Sequence, residues 1–230
     1  MGEIFIPKVI VIFKSKNIIE LNKCSWKETI VSKINDVLKK EKGKKDLILT
    51  GGRTAKSLYA HWSKHHSFKK LKNINFFLGD ERCVDFHHEE SNFNLIKKNL
   101  FKDKIPTNCS FSKLFFENKS IEETINFHEI SFPENPTLLL LSFGIDGHIA
   151  SIFPKSKLLK NTKKIGFHKS KLKINRLSIT PKIIKSSQKI FVLVEGEEKR
   201  KKFKEIMIQK KDIFSHPSHL LEDAYWFLID

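Results

Sequence analysis

The sequence predicts an α/β fold, a mostly parallel sheet with helices on both faces, and three observations carry that prediction. Strand and helix signals alternate along the chain. The run from Thr137 to Phe143 reads as a continuous apolar strand, as expected at the centre of a sheet covered on both sides. Glycine is sparse, and of nine residues Gly51, Gly52, Gly79, Gly144 and Gly147 fall at the ends of three predicted strands. Glycine concentrated there marks backbone that turns sharply or approaches a ligand.

The elements follow in order. Lys8 to Phe13 is a short β-branched run, read as the first strand. Ser25 and Glu28 have capping-box spacing and open a helix whose apolar stripe is Trp26, Ile30, Ile34, Val37 and Leu38. Asp46 to Leu49 is a strand ending in Gly51 and Gly52, and the next helix carries Leu58, Tyr59 and Trp62. Ile74 to Leu78 is a further strand, closed by Gly79. Ser91 caps a helix running to about Leu100, and Ser120 with Glu123 repeats the capping-box spacing before a helix through Ile130. After the central strand come strands near Arg176 to Thr180, Lys189 to Glu195 and Ala224 to Ile229, with a helix from about Glu197 to Ile208. No repeat, low-complexity tract or linker divides them, so residues 1–230 read as one domain.

Composition excludes several classes. A hydrophobic fraction of 40% with 20 Phe is too apolar for a disordered chain. No apolar run approaches the roughly 20 residues that span a bilayer. The first residues lack an export pattern, so a cytoplasmic enzyme without membrane contact is expected. Cys24, Cys83 and Cys109 have neither disulfide-framework nor zinc spacing and read as free thiols. The net charge of +17 raises nucleic-acid binding as an alternative, but lysine is spread along the whole chain and no basic-aromatic module appears. Of 43 basic residues only Arg53, Arg82, Arg176 and Arg200 are arginine, and these are placed where a planar fork for phosphate or carboxylate is useful.

Three loops converge at the carboxyl ends of strands, where α/β sheets bind ligands. In Thr50 to Thr54 (TGGRT), two glycines between strand and helix let N–H groups point at an anion. The loop has neither P-loop nor dinucleotide-binding spacing, so neither ATP nor NAD is implied. In Gly79 to Asn92, Asp80, Glu81 and Arg82 follow an apolar strand directly, where burial is costly unless they pair or meet a ligand. An Asp–Arg brace is the structural alternative. His87 and His88 beside Cys83 and Asp85 match no zinc pattern. In Gly144 to Pro154 (GIDGHIASIFP), Asp146 and His148 flank Gly147, a spacing that lets a carboxylate fix the imidazole tautomer for general-base work on water.

Together TGGRT, DERCV with Ser91-Asn92, and GIDGHIASIFP resemble the glucosamine-6-phosphate isomerase/6-phosphogluconolactonase family, and RLSIT and GEEK (Gly196 to Lys199) are similar to its later strand and Gly-x-x-Lys site. The resemblance spans roughly residues 45 to 230 and implies a three-layer αβα domain with a modified Rossmann-like sheet. Within the family, Arg82 and Ala150 to Pro154 favour 6-phosphogluconolactonase over glucosamine-6-phosphate deaminase, which stays the competing reading. Arg53 departs from the family's small hydroxyl residue and Asp85 from its proline.

The resemblance implies His148 as base and Asp146 as its partner. It implies substrate contacts from Gly51, Gly52, Arg53, Thr54, Asp80, Arg82, Asn92, Gly144, Gly147, Arg176 and Lys199. Arg82 and Lys199 are expected to clamp the phosphate, with Arg53 or Arg176 assisting, and backbone N–H groups of Gly51 to Arg53 and Gly144 to Gly147 to hold an oxyanion or the phosphate. Lactone hydrolysis needs no metal or organic cofactor, and neither is expected.

Overall fold

Short apolar runs bounded by glycine or capping residues become the inner strands of one sheet. The computed structural model describes residues 17–102, 104–170 and 174–230; the strand expected at Lys8 to Phe13 lies outside them. The elements run β1 (Ile18–Leu21), α1 (Trp26–Lys40), β2 (Lys45–Leu49), α2 (Arg53–Trp62), β3 (Ile74–Leu78), β4 (Asp80–Arg82), α3 (Asn92–Ile96), β5 (Ser110–Phe111) and α4 (Ile121–Ser131). They continue with β6 (Leu138–Ser142), β7 (Ile165–His168), β8 (Arg176–Ile179), α5 (Pro181–Ser186), β9 (Ile190–Glu195), α6 (Glu197–Met207) and β10 (Tyr225–Ile229).

Seven strands form a parallel sheet in the order β1-β10-β9-β6-β2-β3-β5, flanked by helices as the sequence predicts. Leu138 to Leu141 of β6 are fully buried, which accounts for the continuous apolar run. From β2 the chain builds outward through β3 to β5. From β6 it builds the other way through β9 to β10. The neighbouring pair β2 and β6, with Leu47 opposite Leu138, is therefore the point where strand order reverses and where such sheets open a crevice.

Beyond Gly79 the chain leaves this sheet. Asp80 to Arg82, expected as loop, pairs with β8, and β4, β8 and β7 make a separate antiparallel sheet. Arg82 stands directly opposite Arg176 in that ladder.

Two local expectations change. Ser25 does not cap α1: the Asn22 side-chain oxygen accepts from the backbone N–H groups of Cys24 and Ser25 and from the Ser25 hydroxyl, so a competing turn holds that hydroxyl. Glu28 instead meets His61 and His65, each at 3.1 Å. In the α1 stripe Val31 is fully buried, while Val37 packs only partly. Ser120 and Glu123 do form a reciprocal capping box, and the Ser91 hydroxyl accepts from the Asn94 N–H at the start of α3.

Candidate active site

The site grows from the ends of β2 and β6. The buried Tyr59 hydroxyl donates to the Thr50 carbonyl at 2.7 Å and fixes the start of the first loop. Gly52 precedes α2 at φ 94°, a conformation that favours glycine, and no side chain caps the helix. Its first-turn N–H groups and positive end are thus left beside the cleft. Gly196 precedes α6 in nearly the same conformation, again without a side-chain cap.

A cleft of about 390 Å³ opens here. Of the residues expected at the site, Gly51, Gly52, Arg53, Asp80, Arg82, Asn92, Gly144, His148, Arg176 and Lys199 line it. Asp146, Thr54 and Gly147 do not. Thr54 is buried inside the first turn of α2. Gly147, at φ 81°, is turned away from the cleft toward Ile206 and His216.

The Asp146–His148 pair is formed. Asp146 Oδ1 accepts from His148 Nδ1 at 2.5 Å and from the His148 backbone N–H at 3.1 Å. Burial opposes ionisation of Asp146, but these hydrogen bonds outweigh it and hold the carboxyl below its usual range. His148 also lies against Gly144, and the Phe153 ring sits 4.7 Å from it, centroid to centroid. With Nδ1 committed to Asp146, Nε2 is the nitrogen left for proton transfer.

The turn itself corrects one expectation. The Gly144 N–H donates to the His148 carbonyl and the Gly147 N–H to the Gly144 carbonyl, both at 2.9 Å. Those two donors are consumed in shaping the loop and are not available to an oxyanion.

Asp80 and Glu81 act as internal braces. Asp80 accepts from the Ser151 hydroxyl at 2.7 Å and from Asn92 Nδ2 at 3.2 Å, and Arg176 Nη1 stands 3.8 Å away. Asp80 borders the cleft, and its carboxylate is engaged by protein on both oxygens. Glu81 accepts the backbone N–H groups of Arg82, Asn92 and Phe93 at 2.7 to 2.8 Å. Burial pushes its carboxyl up to about 7, against the pull of those donors. Nothing in a DER triplet distinguishes a bracing carboxylate from a ligand-binding one; tertiary packing decides it.

Positive charge gathers in two pairs. Arg82 and Arg176 face each other, with Arg82 Nη1 also held by the Glu90 carbonyl at 2.5 Å. Burial, then the Arg82 charge, lowers the Arg176 pKa. At the other pair, burial and then the Arg53 charge lower that of Lys199. Among the described residues, neither Arg53 nor Lys199 has a hydrogen-bonded or ion-paired side chain. The fourth arginine, Arg200, is bound to Asp230 and Glu20 away from the cleft. The sequence reading missed Ser142, Phe143, Ile145, Ala150 and Glu198 as walls. Ile145, Ala150 and Glu198 lie within the motifs and Ser142 and Phe143 just before one, but no residue type among them points to a cleft wall.

Comparison with known proteins now decides the family. The family model for glucosamine-6-phosphate isomerases/6-phosphogluconolactonase matches residues 23–226. The chain belongs to this family. A 6-phosphogluconolactonase from Borreliella burgdorferi is 31% identical, over 76% of this chain and 78% of its own. The crystal structure of 6-phosphogluconolactonase from Thermotoga maritima superposes with a TM-score of 0.77 at 27% identity, covering 93% of this chain and 99% of that one. A 6-phosphogluconolactonase structure from Shewanella baltica shares the fold, with a TM-score of 0.84 at 21% identity over 95% and 100% of the two chains. Among the described residues, no helix is long and apolar enough to cross a membrane.

Proposed function

We propose that this enzyme hydrolyses 6-phospho-D-glucono-1,5-lactone to 6-phosphogluconate. The observation that carries the reading is the Asp146–His148 dyad, its Nε2 unengaged among the described residues, in a cleft bordered by Arg53, Arg82, Arg176 and Lys199. A dianionic phosphate suits the Arg53–Lys199 pair, where two cations without a hydrogen-bonded or ion-paired partner among the described residues meet the uncapped starts of α2 and α6. Arg176 reaches the dyad side, with its guanidinium carbon 5.7 Å from the centre of the Phe153 ring that lies against His148, and Arg82 stands opposite Arg176; the two are tied by Asp80 and Glu90. On this reading the phosphate goes to Arg53 and Lys199, and Arg82 serves the dyad side.

His148 takes a proton from water as the oxygen attacks the lactone carbonyl carbon. The resulting imidazolium is favoured by the Asp146 carboxylate. Charge gathers on the carbonyl oxygen, and the guanidiniums of Arg82 and Arg176 are assigned to stabilise it. When the tetrahedral species collapses, the bond to the ring oxygen breaks and the histidine returns its proton to that oxygen. Ring opening of fresh lactone, followed by acid release against an enzyme-free blank, tests the reading. A rate no faster than the blank, with ammonia released from glucosamine 6-phosphate, would overturn it.

A further inference from the structure

Phe153 contacts more of the site's charged machinery than its apolar character requires. Its ring centroid is 4.7 Å from that of His148 at a tilt of 40° and 4.8 Å from that of His168 at 41°. The Arg176 guanidinium carbon lies 5.7 Å from the same centroid. Phe153 itself is only partly buried, so packing alone does not account for its placement. The negative face of an aromatic ring attracts cations, and His148 becomes one at the moment it takes a proton from water.

We propose that Phe153 is a positioning residue for this reaction: it holds the His148 imidazole against Gly144 and keeps Arg176 beside it. The proposal rests on the hydrolysis reading above. Three restraints then fix the imidazole. Asp146 binds Nδ1. Gly144 leaves space for the ring, since a Cβ there would fall 2.1 Å from Nδ1. Phe153 supplies the remaining wall and itself lies tilted against His168 of β7, which stands opposite Arg176 in the small sheet. Through Phe153 that sheet touches the His148 ring itself.

The test compares Phe153→Leu, Phe153→Met and Phe153→Tyr, with kinetics on the lactone and NMR of labelled histidine side chains, assigned with a His148→Asn sample. In Leu and Met variants kcat should fall roughly 3- to 30-fold, the range of a ring–cation contact, with KM within about twofold. Phe153→Tyr should restore kcat. The nuclear Overhauser contacts between the His148 ring protons and Gly144 should weaken in Leu and Met and persist in Tyr. Wild-type kcat in both Leu and Met overturns the proposal. So does a loss of kcat with the His148–Gly144 contacts unchanged, or a loss carried by KM. If one variant does not fold, the other with Tyr still decides. Should the unmodified enzyme leave the lactone untouched, the hydrolysis reading has failed, and the NMR arm alone still decides whether Phe153 places the imidazole.

Discussion

The imidazole of His148 lies across Gly144 so closely that a Cβ at that position would stand 2.1 Å from Nδ1 and 2.2 Å from Cε1. Glycine is required there by contact with the base, not by backbone conformation. Gly144→Ala should therefore displace the ring while leaving the sheet intact. A misplacement of this size in a catalytic group costs on the order of 100-fold, so kcat should fall by about that much with little change in melting temperature. Steady-state kinetics beside thermal unfolding checks it.

His148→Asn keeps some size and polarity and removes the base. General-base catalysis supplies about 100- to 10,000-fold, so kcat should fall in that range with KM nearly constant. Asp146→Asn should reduce kcat less, because the imidazole remains but its tautomer and charge are no longer favoured. A folded His148→Asn protein keeping more than about a tenth of kcat shows that another group activates the water.

Lys199→Met removes a cation with no protein partner among the described residues, so its loss should appear in substrate binding. One charge-assisted hydrogen bond is worth about 1.5 kcal/mol or more, which predicts a rise in KM of roughly tenfold or greater. Arg53→Ser, restoring the family's small hydroxyl residue, should raise KM in the same direction. If both leave KM unchanged, the phosphate is bound at Arg82 and Arg176 instead.

Glu81 gives a pH prediction. Its folded carboxyl is raised from 4.5 to about 7, so the folded state holds a proton that the unfolded chain has released. The associated stability is present in acid and is lost as pH rises from about 4.5 through about 7. Between pH 5 and 7.5 the melting temperature of the unmodified protein should fall more than that of Glu81→Gln, which does not titrate. The variant should also be less stable at pH 5, by about 1–3 kcal/mol, because its amide N–H₂ confronts backbone N–H donors. Parallel pH curves for the two proteins would show that Glu81 does not carry this dependence.

The sequence by itself determined the inner strands and the Asp146–His148 pair. Periodicity, capping residues and glycine placement located β2, β3, β6, β8, β9 and β10 with α1, α2, α3, α4 and α6, because those signals act within a few residues; the short β1, β5, β7 and α5 carry too little pattern to be located that way. Asp146 and His148 were legible for the same reason: two positions apart in one turn, their contact needs no distant partner. Tertiary structure alone decided what required distant segments to meet. The reversal at β2 and β6 chose which strand ends form the cleft. Pairing of β4 with β8 set Arg82 opposite Arg176, although 94 positions separate them in the chain. Asp80 became a brace because Ser151 and Asn92 reached its oxygens first. The N–H groups of Gly144 and Gly147 were spent on their own turn. A residue's type limits the chemistry it can perform, but its free hydrogen-bonding capacity depends on neighbours that only the folded chain supplies.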